Sequence, residues 1–401
     1  MGSVGESTGH HALIFGASGI TGWAIVNTIL NGYPDSSTFS KVTALTNRPF
    51  TQEIAQWPKS EKLNIVPGID LLKGSQSELE ATIKIRVSDV DSVSHVYFFA
   101  YIMDADPAKE IQINVDLLQR AVSSIDNLSK SLQFVVLPTG TKAYGVHLLR
   151  DGFPHANNLP LKESHPRIPE PYASEMFYYN QLDLLKSMSS SRPWTYCDVI
   201  PDVIIGFVPH NNIYCLPQAL ALYLSLYRHI NGEGAEVVFP GTTNSWGNKT
   251  NDSSQDIIAK FAIHASLHPD VSMEQSFNVA DNRSPSTWSK KWPIICAYFG
   301  LKGVAPTNGS GPDPTGYVSE NREKWLELEK KHGLQTGRIG NERSYGGFPY
   351  FIMTMLDFDR QLDLTKMHDA WGKEGGKVEE TDTKGAWYAV FDRFRKAKII
   401  P

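Results

Sequence analysis

Cysteine is scarce in this chain of 401 residues, which has only Cys197, Cys215 and Cys296. The three are far apart, odd in number and outside any Cys-x-x-Cys or Cys/His spacing. This scarcity argues against a disulfide framework and against a zinc site, and we expect no metal centre. A reducing compartment, most simply the cytoplasm, is the expected location.

An excess of positive charge and long apolar runs are also lacking. The chain has 38 Lys and Arg against 43 Asp and Glu, a net charge of −5, so it does not attract nucleic acid or an anionic membrane. The stretch LPQALALYLSLY from Leu216 is too short to span a bilayer, and the N-terminus lacks the basic and apolar regions of a signal peptide. We therefore expect neither nucleic acid nor a membrane as a partner, but an apolar small molecule bound by a monomer or a homodimer.

Short β-rich runs alternate with helical patterns over the first two thirds of the chain. Six such runs begin at residues 12, 41, 63, 95, 132 and 195. This alternation predicts an α/β fold with a Rossmann-type doubly wound parallel sheet. We expect a first domain over 1–207, with a surface insertion at about 144–171, and a smaller, mainly helical C-terminal substrate lobe over 208–401 that is interleaved with the core. The second lobe has short strand candidates at 235 and 275 and a predicted loop at 303–317.

The stretch ALIFGASGITGWAIVNTIL places Gly16, Gly19 and Gly22 between an apolar strand and a helix. A tight strand-to-helix turn needs glycine so that backbone N–H groups can approach a pyrophosphate at the positive end of the helix. The strand before the array, the helix after it and its N-terminal position favour a dinucleotide site, to which Ser18 and Ile20 of the same turn also belong.

The end of the second strand indicates which dinucleotide binds. An NAD enzyme usually has Asp or Glu here for the ribose 2′-OH, whereas this chain reads TALTNRPF, with Asn47 and Arg48. A guanidinium pairs with a 2′-phosphate that a carboxylate would repel. The sequence therefore predicts NADPH as the cofactor. Asp70 and Leu71, after the third strand, are candidates for the adenine edge, although Asp70 is as often a turn residue.

The stretch MFYYNQLDLL lacks the Tyr-x-x-x-Lys spacing of short-chain dehydrogenases, because Leu182 and Asp183 follow Tyr178 and Tyr179 by four residues. Hydride transfer to a carbonyl or an enone builds negative charge on an oxygen, which a phenol can stabilise, and a nearby ammonium lowers the pKa of that phenol. The nearest lysine candidate is Lys142 in LPTGTKAYG, at the carboxyl end of the fifth strand. Carboxyl ends of parallel strands face the cofactor crevice, so Lys142 can meet a tyrosine of the next helix.

Other strand ends are expected to complete the two sites. The further cofactor candidates are Ala100, Thr139, Pro201 and Val203. The candidates for an apolar substrate pocket are Phe99, Tyr101, Tyr144 and Phe351. A buried strand explains HVYFFAYI equally well, and the stretch from Ser344 that contains Phe351 is either a mobile flap over the substrate or a plain amphipathic helix.

Six motifs resemble those of the progesterone 5β-reductase and iridoid synthase-like family, an atypical branch of the short-chain dehydrogenases; they are GASGITG, TNRP, TGTKAYG, FYYNQLDLL, IPDVIIGFVP and RKAKIIP. In that family the lysine comes from Thr-Gly-x-Lys and the tyrosine is the first of Phe-Tyr-Tyr, which implies Lys142 and Tyr178. The resemblance implies that NADPH reduces the C=C bond of an enone or enal at its β-carbon, in specialised-metabolite biosynthesis. Tyr178 would stabilise or protonate the enolate oxygen, with Lys142 as its partner. Leu182 and the segment IPD at 200–202 depart from the family pattern.

Three other functions stay open on the sequence alone. The same Tyr178 and Lys142 could reduce a ketone or an aldehyde. Tyr178 could serve as the acid of a redox-neutral cyclase or isomerase. The chain could also sense NADP(H) without turnover.

Overall fold

The computed structural model describes residues 9–307, 309–340, 343, 347–373 and 376–401. The strands are β1 (His10–Phe15), β2 (Phe39–Thr46), β3 (Leu63–Pro67), β4 (His95–Phe98), β5 (Phe134–Pro138), β6 (Thr195–Pro201), β7 (Ile204–Ile205), β8 (Glu236–Val238), β9 (Ser253–Ser254), β10 (Gln275–Val279) and β11 (Lys302–Val304). The helices are α1 (Ile20–Leu30), α2 (Gln52–Ala55), α3 (Gln76–Arg86), α4 (Pro107–Leu128), α5 (Leu149–Gly152), α6 (Phe177–Ser189), α7 (Leu216–Asn231), α8 (Thr243–Gly247), α9 (Gln255–Leu267), α10 (Pro269–Ser272), α11 (Trp288–Tyr298), α12 (Pro314–Glu320), α13 (Arg322–His332), α14 (Phe348–Thr354), α15 (Thr365–Gly372) and α16 (Thr383–Lys396). Short 3₁₀ helices cover Val90–Ser92, Thr141–Tyr144 and Val146–Leu148. Within the described residues, no helix is both long and apolar enough to cross a membrane.

Seven strands form one parallel sheet in the order β10-β6-β5-β4-β1-β2-β3. The six strands predicted in the first half are β1 to β6, and the α/β doubly wound fold is confirmed. The sequence predicts β10 only as a short strand of the second lobe, but β10 pairs with β6, from Gln275 opposite Cys197 to Val279 opposite Pro201. The second half of the chain therefore completes the sheet of the first half.

Helices cover both faces of this sheet, which explains why its strands are almost uniformly apolar. In β1, Ala12 and Ile14 contact the core that includes α1 and α9, whereas Leu13 and Phe15 contact the core that includes α3 and α4. This division follows from the alternation of side chains along a strand. The parallel strands all end at one edge, and the candidate site lies there.

The predicted insertion at 144–171 is not confined to the surface. It buries Tyr144, Phe153 and Leu161, and Leu161 forms a bridge with Leu362. These apolar side chains pack inside the fold although the segment is rich in Pro, His and Gly. The insertion is therefore part of the core beside the sheet edge.

The predicted loop at 303–317 also differs from the structure. It contains the end of β11 and the start of α12. The side chain of Asp313 accepts hydrogen bonds from the N–H groups of Thr315 and Gly316, and Pro314 is in the first turn. An acidic N-cap followed by proline is a helix-start signal, which the Gly and Pro content of the segment concealed.

A buried ion pair connects the C-terminal part of the chain to the carboxyl edge of the sheet. Arg360 Nε lies 3.0 Å from Asp202 Oδ2, and the two side chains are 4% and 3% exposed. Asp202 also accepts a hydrogen bond from Thr141 Oγ1 at 3.1 Å, and its N–H donates to Ser253 Oγ at 3.1 Å. Such a pair stabilises a fold only while both charges are present.

Arg360→Met should lower the free energy of unfolding by about 3–5 kcal/mol, because the Asp202 carboxylate would be left buried without its cation. Urea denaturation followed by tryptophan fluorescence measures this loss. Lys324→Met is the control, since the side chains of the Lys324–Glu327 pair on α13 are 54% and 57% exposed and exposed pairs contribute about 1 kcal/mol or less. Equal losses in the two variants would contradict the stabilising role of the buried pair.

Candidate active site

The glycine array forms the turn between β1 and α1, and two of its glycines have no room for a side chain. Gly16 has a φ of 74°, and a Cβ atom there would lie 2.6 Å from the backbone of Phe99. A Cβ atom on Gly22 would lie 2.3 Å from the carbonyl oxygen of Gly16. The first turn of α1 contains no acidic residue, so the positive end of the helix can receive an anionic group. This turn fits the pyrophosphate of a dinucleotide.

Contacts with the segment after β7 hold the same turn in place. The carbonyl oxygen of Ser18 accepts a hydrogen bond from His210 Nε2 at 2.7 Å. A Cβ atom on Gly206 would lie 2.3 Å from Ile20 Cγ2. Ser18 and Ile20 are therefore held by contacts with the segment that joins the two predicted domains.

Two arginines from distant parts of the chain line one open cavity beyond β2. Its volume is about 400 Å³, and its lining residues are Asn47, Arg48 and Arg343. All three side chains are exposed. Sequence reasoning found Asn47 and Arg48 but missed Arg343, because no motif surrounds it. Two guanidinium groups at one cavity suit a phosphate group.

The predicted adenine-edge residues occupy a turn after β3. Asp70 Oδ1 accepts a hydrogen bond from the N–H of Leu72 at 3.0 Å, and the side chain of Leu71 packs in the core beside α3. The Asp70 carboxylate therefore stabilises the turn, which agrees with the alternative that Asp70 is a turn residue.

The other predicted cofactor residues lie at neighbouring strand ends. Ala100 follows Phe99, and its nitrogen would lie 2.7 Å from a Cβ atom on Gly16. Thr139 follows β5, and its hydroxyl donates to Asp198 Oδ2 at 2.8 Å. Pro201 ends β6, and Val203 follows two residues later, half-buried.

The two candidate catalytic residues lie on neighbouring elements. Lys142 is in the 3₁₀ helix directly after β5, and Tyr178 is the second residue of α6. A Cβ atom on Gly140 would lie 3.4 Å from the Tyr178 hydroxyl oxygen. The phenol of Tyr178 therefore lies against the Thr-Gly-Thr-Lys loop.

Tyr179 holds these two elements together. Its hydroxyl donates to the carbonyl oxygen of Ala143 at 2.6 Å and accepts from the N–H of Ile168 at 3.0 Å. Ala143 directly follows Lys142, and Tyr179 directly follows Tyr178. The hydrogen bond thus joins the sequence neighbours of the two candidates, and it gives the second tyrosine of the pair a structural role.

The electrostatics of Tyr178 differ from the sequence-based expectation that Lys142 lowers the pKa of this phenol. Burial raises the pKa of Tyr178 above its usual value, and the Glu110 carboxylate and Tyr214 add to the rise. Lys142 has an exposed side chain. None of the described residues hydrogen-bonds to the Tyr178 hydroxyl. Tyr178 is therefore a protonated donor that can serve a ligand oxygen.

Four segments contribute aromatic rings to a line of contacts that begins at Tyr178. Phe177 contacts Tyr178 at 4.4 Å between ring centroids and stacks on Tyr101 at 5.5 Å. Tyr101 contacts Tyr214 at 6.0 Å, and Tyr214 contacts Phe348 at 5.4 Å. We call these five residues the aromatic cluster. It can form one wall of an apolar pocket, because Tyr101 is 39% exposed.

Of the four predicted substrate-pocket residues, Tyr101 belongs to the cluster. Phe351 is 37% exposed on α14, the helix that supplies Phe348. Phe99 is half-buried beside the glycine turn, and Tyr144 is buried with its hydroxyl donating to Asn278 Oδ1 at 2.7 Å. The sequence missed the cluster members Phe177, Tyr214 and Phe348, because contacts between distant segments create the cluster.

A neutral histidine accompanies the candidate lysine. Burial and then the charge of Lys142 lower the pKa of His147 to about 4. The Nδ1 atom of His147 is buried and has no hydrogen-bond partner within the described part of the chain. His147 therefore adds no positive charge beside Lys142 at neutral pH.

Comparison with known proteins identifies the family. A model of the PRISE-like Rossmann-fold domain matches residues 12–401. This chain belongs to the PRISE family. The short chain dehydrogenase ausT of Aspergillus calidoustus is 34% identical to it over 97% of this chain and 94% of the relative. The 3-oxo-Delta(4,5)-steroid 5-beta-reductase of Arabidopsis thaliana is 25% identical over 97% of this chain and 93% of the relative.

The resemblance inferred from the six sequence motifs is thus confirmed, and this PRISE-family chain is an oxidoreductase of the short-chain dehydrogenase/reductase superfamily. Its fold is similar to that of RMD from Pseudomonas aeruginosa, which was solved in complex with NADPH. The TM-score is 0.56 at 12% identity, over 96% of this chain and 99% of that chain. At this identity the likeness supports the fold alone.

Replacing each tyrosine of the pair by phenylalanine should separate their roles in stability. Tyr179→Phe should lower the free energy of unfolding by about 1–3 kcal/mol, because the Ala143 carbonyl and the Ile168 N–H would lose their partner. Tyr178→Phe should change it by about 0.5 kcal/mol or less, since the lost hydroxyl has no hydrogen-bond partner among the described residues. Thermal and urea unfolding of both variants measure the difference. A larger loss for Tyr178→Phe would show that its hydroxyl is structural.

Proposed function

We propose that this chain is an NADPH-dependent reductase of an apolar small molecule that reduces the C=C bond of an enone or enal. The observation that carries the proposal is the Tyr178 hydroxyl, which is protonated, without a protein hydrogen bond within the described part of the chain, and packed against Gly140 at the carboxyl edge of the sheet. A donor of this kind can bind the oxygen on which negative charge develops.

The cofactor site supports NADPH over NADH. Bound NADPH supplies the hydride. The turn at Gly16 admits a pyrophosphate, and the cavity between Arg48 and Arg343 has two cations for the 2′-phosphate. Neither Asn47 nor Arg48 places at this position the carboxylate that is usual in NAD enzymes and that would repel a 2′-phosphate.

In this proposal, Tyr178 and Lys142 both act at the substrate oxygen. Tyr178 donates a hydrogen bond or a proton to the enolate oxygen that forms when the β-carbon is reduced. Lys142 is the cation of the pair, on the loop that Tyr179 fastens to α6. The Arabidopsis relative carries a name for the reduction of a 3-oxo-Delta(4,5) steroid, and this favours C=C over C=O reduction here.

The two halves of the chain have different roles in the proposal. Residues 1–207 hold the cofactor, and residues 208–401 supply the other wall of the substrate pocket, including Tyr214 and Phe348. The three described cysteines are free and buried, which suits the cytoplasm and a role in specialised metabolism.

A direct assay tests the reaction. The protein mixed with NADPH and 2-cyclohexen-1-one should oxidise the cofactor and form cyclohexanone. Tyr178→Phe should lower kcat by about 10²–10⁴-fold, because the general acid is lost. Cyclohexenol as the product would assign carbonyl reduction instead, a rearranged substrate without cofactor oxidation would assign a redox-neutral reaction, and cofactor binding without turnover of a panel of enones and enals would favour a sensor.

Cofactor choice is tested at Arg48. Arg48→Ala should raise the KM for NADPH by about tenfold or more, because a charged hydrogen bond contributes about 1.5–3 kcal/mol, while the KM for NADH should stay within about twofold. Arg343→Ala should have the same selective effect. Arg192→Ala is the control, because it removes a half-exposed arginine that is paired with Asp126. Equal changes for both cofactors would remove the assignment of a 2′-phosphate site.

A further inference from the structure

Glu110 places a carboxylate at the aromatic cluster. It lies in the first turn of α4, which begins after the N-cap Asp106. The hydroxyl of Tyr101 donates to Glu110 Oε1 at 2.5 Å. Sequence reasoning did not select this residue, because nothing in the helix pattern of α4 distinguishes it from a solvated acidic side chain.

Three phenol groups are subject to the charge of this carboxylate. Burial, followed by the influence of Glu110, raises the pKa of Tyr101 and of Tyr178 above the usual tyrosine value. Burial also raises the pKa of Tyr214, and Glu110 contributes to the rise. Glu110 is also connected to Tyr178 by contacts, because it accepts from Tyr101, whose ring stacks on Phe177, the neighbour of Tyr178.

No basic side chain of the described residues forms an ion pair with Glu110 within 4.0 Å. Its position in the first turn of α4 is favourable, because the positive end of the helix dipole stabilises an acidic side chain there. The dipole explains why the carboxylate is tolerated. It leaves the negative charge facing the cluster without a cation from the described part of the chain.

This charge has the wrong sign for the proposed step if the ligand is neutral. Negative charge develops on the substrate oxygen beside Tyr178, and a nearby carboxylate raises the energy of that charge. A ligand that brings its own positive charge reverses the effect, because the carboxylate then attracts it. Tyrosine rings also attract cations over their faces.

We propose that the substrate carries a protonated amine, which binds between Glu110 and the rings of Tyr101 and Tyr214 while its conjugated C=C–C=O group lies at Tyr178. This substrate class rests on the proposed reductase function. The rest of the substrate is apolar, since Phe177 and Phe348 complete the same cluster. Met103, whose sulfur accepts a hydrogen bond from the Tyr214 hydroxyl at 2.8 Å, borders the cluster and is 57% exposed.

Two probes of nearly equal shape test the charge. They are 4-(dimethylaminomethyl)cinnamaldehyde, which is cationic at neutral pH, and its neutral isostere 4-isobutylcinnamaldehyde. Binding is measured by calorimetry on the complex with NADP⁺, in which no reduction occurs, and kcat/KM is measured with NADPH. The wild-type protein should prefer the cationic probe by about tenfold in both measurements, as expected for about 1.4 kcal/mol of added attraction.

Glu110→Gln keeps the shape of the side chain and should reduce this preference to within about twofold. Asp116→Asn is the matched control, because it removes the same charge from the same helix at a residue bonded to Gln112, and it should retain the preference. Equal affinity of the wild-type protein for both probes, or an unchanged preference in Glu110→Gln, would overturn the assignment. Turnover of both probes without a preference refutes only the substrate class, whereas preferential binding without turnover refutes only the reductase function.

Discussion

A single hydrogen bond, from the Tyr179 hydroxyl to the Ala143 carbonyl, joins the two segments on which the candidate chemistry depends. Where a tyrosine and a lysine share one helix, the helix itself sets their spacing. Here the two residues belong to different elements, so tertiary contacts must set it. On the other side of Lys142, Thr141 bonds to Asp202, which is paired with Arg360. The lysine is thus flanked by two buried anchors, one from α6 and one from the C-terminal part of the chain.

Local signals in the sequence predicted the cofactor half of the site. Each of these signals is contained within a few residues. They are the apolar run of β1, the spacing of Gly16 and Gly22, and the arginine after β2. In the structure they form a strand, a crowded turn and a charged cavity. The six strands of the first half were predictable for the same reason. The strand-end position of Lys142 and the family motif both predict that Lys142 acts with Tyr178, and this pairing stays a prediction.

The parts that the sequence did not reveal depend on distant contacts. The position of β10 in the main sheet, the approach of Arg343 to Arg48, and the meeting of Glu110 with Tyr101 and Tyr214 all join segments without a shared motif. The expectation that the pKa of Tyr178 is lowered was wrong for a related reason. Sequence reasoning considered the nearest cation, whereas burial and a carboxylate from another helix determine the outcome.

The pairing of β10 with β6 affects how the chain folds during its synthesis on the ribosome. Until the chain has been synthesised past Val279, β6 is an open edge with unpaired backbone groups, and such edges invite association with other chains. The first half of the chain therefore cannot complete its sheet as soon as it emerges, because one strand comes from the second half. Contacts across so many residues also slow folding.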